Sequence, residues 1–193
     1  EDKHMKALEE KILQEGEVVD GDILKVDGFV NHQVDALLME EIGKDMAEHF
    51  KGQGITKVFT IESSGIAPAL FTAKELGVPL VILKKQQTAD SLKTEVWQTE
   101  VVSYTKDTSY RLTLAKNYIS DEDHVLIVDD FLANGEAATG AIRLIRKAHA
   151  TVAGLGVLIE KTFQPGREKL ESQGIHVYAQ ASIKAFENGK VVF

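Results

Sequence analysis

His124-Val-Leu-Ile-Val-Asp-Asp-Phe-Leu-Ala-Asn-Gly-Glu-Ala-Ala-Thr-Gly140 is the stretch whose reading decides the fold. Val125 to Val128 form a β-branched, apolar run, Phe131 continues it, and the acidic pair Asp129-Asp130 lies between them. A strand buried on both faces of a parallel sheet is written this way, and such a strand delivers its C-terminal end to a ligand crevice. Ala133-Asn134-Gly135-Glu136-Ala137 then leads into small residues at helical spacing. Asn134-Gly135 can take the positive φ angles that let backbone N–H groups converge, and the helix behind adds its unpaired amides and partial positive charge. The pattern predicts strand, turn and helix, with a cradle for a phosphate monoester beside two carboxylates.

The whole chain bounds what that site can belong to. Its 193 residues, 44% hydrophobic and 27% charged, suit one domain with a full core, taken here as 5–193. Glu1 to His4 precede Met5 and read as a leftover of expression, outside the fold. A formal charge of −8 argues against a nucleic-acid or anionic-membrane surface. The absence of cysteine excludes disulfides and thiolate metal sites, and agrees with a reducing cytoplasm. No apolar run approaches a membrane span.

Outward from the central stretch, strands and helices alternate. Met5 to Gln14 reads as a helix with Leu8, Ile12 and Leu13 on one side, closed by Gly16. Ile23 to Asp27 reads as a short strand, with Asn31-His32 in a loop. Asp35 caps a helix running to about Phe50 on Leu38, Ile42 and Met46. Ile55 to Ile61 is a second buried strand, followed by Glu62-Ser63-Ser64-Gly65 and by Pro68 just inside the next helix. Alone this is an ordinary strand-helix turn capped by serine; beside the Asp129 stretch it reads as a second anion site. Val78 to Leu83 is another strand. From 84 to 115 a polar, aperiodic stretch gives way to two strand-like arms, Val101 to Tyr104 and Tyr110 to Leu114, expected as a flexible flap. Helix 136–149, strand 152–159, a short helix and strand 175–183 complete the core. The predicted class is α/β: an open, mainly parallel sheet flanked by helices, with an antiparallel flap or hood.

Rival readings of the acidic pair fail. A receiver domain carries such a pair near its N-terminus, whereas here it lies late in the chain. No G-x-x-x-x-G-K-[ST] accompanies it as a Walker motif requires. Gly154-Leu155-Gly156 lacks the third glycine of a dinucleotide fingerprint and reads as a tightly packed strand.

The strand, acidic pair and small-residue loop, spelled DDFLANGEA, resemble the signature of the type I phosphoribosyltransferases, most nearly the bacterial xanthine phosphoribosyltransferase family. The resemblance runs from Met5 to near Phe193. It implies a cytoplasmic purine-salvage enzyme that takes 5-phosphoribosyl-1-pyrophosphate (PRPP) and xanthine as substrates, works with Mg²⁺ and forms a homodimer. It assigns the 5′-phosphate to Ala133 through Ala137, pyrophosphate to Glu62 through Gly65, and the catalytic place to Asp129 and Asp130. Those carboxylates would meet the ribose hydroxyls, or a Mg²⁺ through water, the ion being held mainly by PRPP. For the base it implies Leu24 by packing, Asn31 by hydrogen bond and Lys161 as donor to the purine 6-oxo group. Without it, Asn31 is an unremarkable loop residue and Lys161 a solvated charge. Phe131 and Phe163 either flank the purine or fill the core. Two alternatives stand beside this reading: a guanine or hypoxanthine phosphoribosyltransferase, and a PRPP-sensing transcription regulator, for which the acidic N-terminal region offers no DNA-binding segment.

Overall fold

The computed structural model describes residues 5–86, 93–103 and 107–193. Glu1 to His4, Tyr104 and part of the expected 84–115 flap lie outside them.

The central stretch is strand β7 (His124–Leu132), and it continues through the acidic pair rather than stopping before it. Val125 and Ile127 enter the apolar cluster on one face, while Leu126 and Val128 enter the cluster on the other. Burial on both faces is what the apolar run demanded. Around β7 lie β3 (Lys57–Ile61), β4 (Leu80–Lys85), β8 (Thr151–Lys161) and β9 (Val177–Ile183), all parallel to one another. Strands β5 (Val96–Ser103) and β6 (Thr108–Ala115) form an antiparallel hairpin that joins the edge through β6 and β4, giving the seven-stranded order β5-β6-β4-β3-β7-β8-β9.

Helices cover both faces. On one, α4 (Glu136–Lys147) contributes Ala138, Ala141, Ile142 and Ile145, and α5 (Gly166–Glu171) contributes Leu170. On the other lie α1 (Lys6–Glu15), α2 (Ala36–Phe50) and α3 (Ile66–Leu76). Asp35 caps α2 as expected, accepting from the Leu38 amide at 3.1 Å. The glycines of β8 admit α2 close to the sheet: a Cβ at Gly156 would stand 2.2 Å from the Met46 sulfur, and one at Gly154 2.8 Å from the Phe50 ring.

Several local readings are corrected. Leu13 is 60% exposed, so α1 buries Leu8 and Ile12 alone. A hairpin of β1 (Glu17–Val19) and β2 (Ile23–Lys25) replaces the single strand, and the following loop is a five-residue π-type turn, Asp27–Asn31. The flap arms are longer than read, β5 starting at Val96. A third hairpin, β10 (Ala185–Glu187) with β11 (Lys190–Val192), ends the chain's described part.

Candidate active site

Consecutive parallel strands leave their C-terminal ends on one edge, and there the two loops read as anion sites meet. The first, Ala133 to Ala137, joins β7 to α4. Gly135 takes φ +78° at the start of the helix, and its carbonyl accepts from both the amide and the hydroxyl of Thr139, at 3.0 and 2.7 Å. The loop is held from behind by α5. The Gly166 amide donates to the Ala133 carbonyl at 2.9 Å, and a Cβ at Gly166 would fall 2.4 Å from that oxygen. Backbone packed on backbone fixes where the loop's amides point. A cleft of about 140 Å³, lined by Asp129, Phe131, Gly135 and Glu136 among others, opens beside it.

The second loop, Glu62 to Gly65, joins β3 to α3, and its Glu62–Ser63 peptide is cis. Glu62 is drawn toward β4: its carboxylate accepts from the Lys85 amide at 2.6 Å while its own amide donates to the Leu83 carbonyl. Gly65 lies on the acidic pair. A Cβ there would stand 2.8 Å from Asp129 Oδ1 and 2.4 Å from the Thr60 hydroxyl. The loop therefore rests against a carboxylate near the C-terminal end of β7, and both strand-to-helix loops border Asp129.

Asp129 Oδ1 accepts from the Asp130 amide at 2.9 Å, and Asp130 Oδ1 from the Phe131 amide at 2.8 Å. Part of Asp129 faces the cleft, yet its carboxyl is packed deeply enough that loss of water is the largest influence on it. Burial, then repulsion from Asp130, holds it well above the usual carboxylate range, and the Lys85 charge offsets only a part. Such a carboxylate is costly to ionise without a ligand and ready to accept from one. Among the described residues no group of three or more His, Cys or carboxylate side chains is placed to hold a metal. The Asp129-Asp130 oxygens suit a hard cation, but an ion here must take most of its oxygens from substrate and water, which is how Mg²⁺ commonly binds.

The residues that the resemblance assigns to the base lie around the end of β8, the next strand. Leu24 is buried, and Phe131 and Phe186 pack against the cluster that contains it. Lys161 ends β8, its ammonium 3.4 Å from the Asp22 carbonyl and 6.0 Å from the Phe186 ring. Phe163, 49% exposed, meets the same ring edge-on at 6.0 Å. Asn31 is exposed and follows Phe29 and Val30 of that cluster. Leu24, Phe131, Lys161 and Phe163 are thus gathered around one patch, with Asn31 on its exposed margin.

Sequence reasoning missed Thr60, Lys85, Tyr110 and Phe186. Lys85 lies over the Tyr110 ring at 4.8 Å, and the phenol is pushed up by burial and then by the charges of Asp129 and Glu136. The hairpin thereby faces the reaction edge. Its position is fixed by α4, where Arg143 donates to Thr99 and to the Glu100 carbonyl, Lys147 donates to the Gln98 carbonyl, and Val101 fits against Gly140.

A family model described as a phosphoribosyl transferase domain matches residues 31–187. Xanthine phosphoribosyltransferase of Agathobacter rectalis is 57% identical over 189 residues, covering 98% of each chain. The enzyme of that name from Clostridium botulinum strain Eklund 17B is 55% identical over 185 residues, 96% of this chain and 97% of its own. Among solved structures, the adenine phosphoribosyltransferase of Giardia lamblia complexed with 9-deazaadenine superposes with a TM-score of 0.76 at 20% identity, covering 91% of this chain and 97% of that one. The Rhodothermus marinus adenine phosphoribosyltransferase gives 0.75 at 24%, over 92% and 99%. At those identities the likeness is one of fold.

Proposed function

This chain belongs to the phosphoribosyl transferase family and is an enzyme of it, and from that premise we propose that it transfers the 5-phosphoribosyl group of PRPP to N9 of xanthine, giving xanthosine 5′-monophosphate and pyrophosphate in purine salvage. The observation that carries the reading is the seat of Gly65 on Asp129, which leaves two amide-lined anion sites sharing one acidic pair. A sugar with phosphate at both ends spans such a pair.

In this scheme Ala133 to Ala137 grip the 5′-phosphate and stay fixed, because Gly166 holds the loop from behind. Asp129 and Asp130 accept hydrogen bonds from the ribose hydroxyls. The α3 N-terminus, with Ser63, Ser64 and Gly65, takes the charge that develops on departing pyrophosphate. Lys85 brings a positive charge to the same side. Asp129 and Asp130 are the residues that would hold a Mg²⁺ brought with PRPP, and such an ion would supply positive charge for the departing pyrophosphate. The hairpin shields the centre from water. Phe131, Phe163 and Leu24 enclose the purine, and Lys161 donates to its 6-oxo group. Asn31 donates to the 2-oxo group, which guanine replaces with a donor and hypoxanthine lacks. A donor left unpaired against those bases gives the preference.

Xanthine enters because relatives at 50–57% identity carry that name. PRPP-dependent rates with xanthine, guanine, hypoxanthine, adenine and uracil test it: xanthine should be fastest, and good guanine turnover with none for xanthine overturns the specificity. We also place the enzyme in the cytoplasm as a homodimer. Supporting that, the Lys11–Asp35 ion pair sets the ends of α1 and α2 side by side, with Leu13, Val34 and Leu37 exposed nearby. Sedimentation at micromolar concentration checks it. No helix among the described residues is long and apolar enough to cross a membrane.

A further inference from the structure

One polar atom of the reaction edge takes no part in the scheme above. Thr60, on β3, is 0% exposed, and its Oγ1 finds no hydrogen-bond partner among the described residues. A buried hydroxyl left unpaired is costly, so a chain that keeps one at this place gains something else from it. Its surroundings indicate what. Thr60 Oγ1 lies 2.4 Å, and Asp129 Oδ1 2.8 Å, from the single point that a Gly65 Cβ would fill. A hydroxyl able to donate and a carboxylate oxygen able to accept thus border the same space, the one a glycine leaves open. Oδ1 already takes the Asp130 amide and has a lone pair to spare.

We propose that Thr60 is a further positioning residue of the phosphoribosyl-transfer site: when substrate fills the two loops, its hydroxyl donates to Asp129 Oδ1, turning Oδ2 toward the ribose. This rests on the reading of the edge as a PRPP site. Thr60 is sealed from the cleft and acts only through Asp129, with Gly65 as the aperture. A side chain at Gly65 would separate the two oxygens.

The test compares Thr60→Val, of nearly the same shape without the hydroxyl, with Thr60→Ser, which restores it. Steady-state rates are taken with Mg²⁺, PRPP and the preferred base, and unfolding temperatures without substrate. Thr60→Val should lower kcat about tenfold and leave KM for the base within about twofold. It should unfold no earlier than the parent, since it removes an unpaired buried hydroxyl rather than a bond. Thr60→Ser should keep kcat within about threefold of the parent. Parental kcat in Thr60→Val overturns the proposal, as does a Ser variant as slow as the Val variant. So does a Val variant whose rate falls only in step with a lowered unfolding temperature. A parent that releases no pyrophosphate with any purine base would instead overturn the proposed function, and this inference with it; an active parent matched by Thr60→Val removes Thr60 alone.

Discussion

Strand β7 has a carboxylate at each end, and the two live under opposite conditions. Asp123, just before its N-terminal residue, is buried but fully engaged: the Thr56 hydroxyl reaches it at 2.7 Å, the Ser120 amide at 2.8 Å and the Lys57 ammonium at 3.0 Å. Burial works against its ionisation, yet the Thr56, Ser120 and Lys57 contacts outweigh it and hold the carboxyl below its ordinary range. Asp129, near the other end, has Asp130 as its neighbour and no cation in hydrogen-bond contact among the described residues, and its carboxyl is held well above that range. The first carboxylate ties β7 to β3 and contributes stability. The second, which the proposed function gives to a ligand's hydroxyls, accepts the Asp130 amide and stands beside a like charge. A substrate edge is where a fold gives up stability that the opposite edge supplies.

Replacing Asp129 by Asn should produce the largest change and most directly break or sustain the contrast. We expect kcat to fall about 100-fold or more, roughly 3 kcal/mol of transition-state stabilisation. The substrate-free protein should unfold at a higher temperature near pH 7. The sign follows from linkage: with a folded-state pKa above the unfolded one, folding is penalised increasingly as pH rises past the unfolded value, and in full above the folded one. Asn removes that penalty, so the gain should fade as pH falls to about 4, where parent and variant carry the same charge. An Asn variant less stable than the parent at neutral pH would show that Asp129 is structural, like its counterpart.

Asp123→Ala is the converse. Stability should drop by about 2–3 kcal/mol, some 4–10 °C in unfolding temperature, with the rate per folded molecule nearly unchanged. Here the folded pKa is depressed, so the contribution is present above the ordinary carboxylate value and is lost as pH falls through the folded one. The deficit of Asp123→Ala should accordingly shrink below about pH 4. Gly166→Ala comes next in size. Its methyl would meet the Ala133 carbonyl at 2.4 Å, backbone against backbone, and push the phosphate loop outward. KM for PRPP should rise about tenfold, with KM for the base moving far less.

The contrast between the two ends of β7 also accounts for what the sequence could tell. Burial on both faces wrote Val125 to Val128 as an apolar run, and Gly135 and Pro68 marked the loops and helix starts, so the sheet and the two strand-to-helix loops were legible. Chemistry that depends on strand order was not. Thr60, Lys85 and Tyr110 gain meaning only because β6, β4, β3 and β7 are consecutive in the sheet, a neighbourhood that separates residues by tens of positions in the chain. Glu62 reads as part of the pyrophosphate loop, whereas its carboxylate is taken up by the Lys85 amide of the neighbouring strand. The β1 strand, three residues long, and the π-type turn at Asp27–Asn31 were too short to leave a period. The early start of β5 was hidden because Val96 to Thr99 are half-buried, on a hairpin whose anchors Arg143 and Lys147 lie far along the chain.

The smallest effect comes from extending the contrast to lysines. Lys57, at the lower edge, donates to a carboxylate and to the Tyr118 carbonyl at 2.8 Å. Lys161, at the substrate edge, has one long contact to the Asp22 carbonyl at 3.4 Å and lies 6.0 Å from the Phe186 ring. An ammonium so loosely held contributes little to stability, and Lys161→Ala should shift the unfolding free energy by no more than about 0.5 kcal/mol. If that looseness is reserved for the purine 6-oxo group, KM for the base should rise about fivefold, near 1 kcal/mol, with KM for PRPP unchanged. Equal increases in both constants would assign Lys161 to the phosphate side. A marked fall in unfolding temperature would instead make it a structural clasp on the β1–β2 hairpin, and the division of labour between the two edges would then stop at β7.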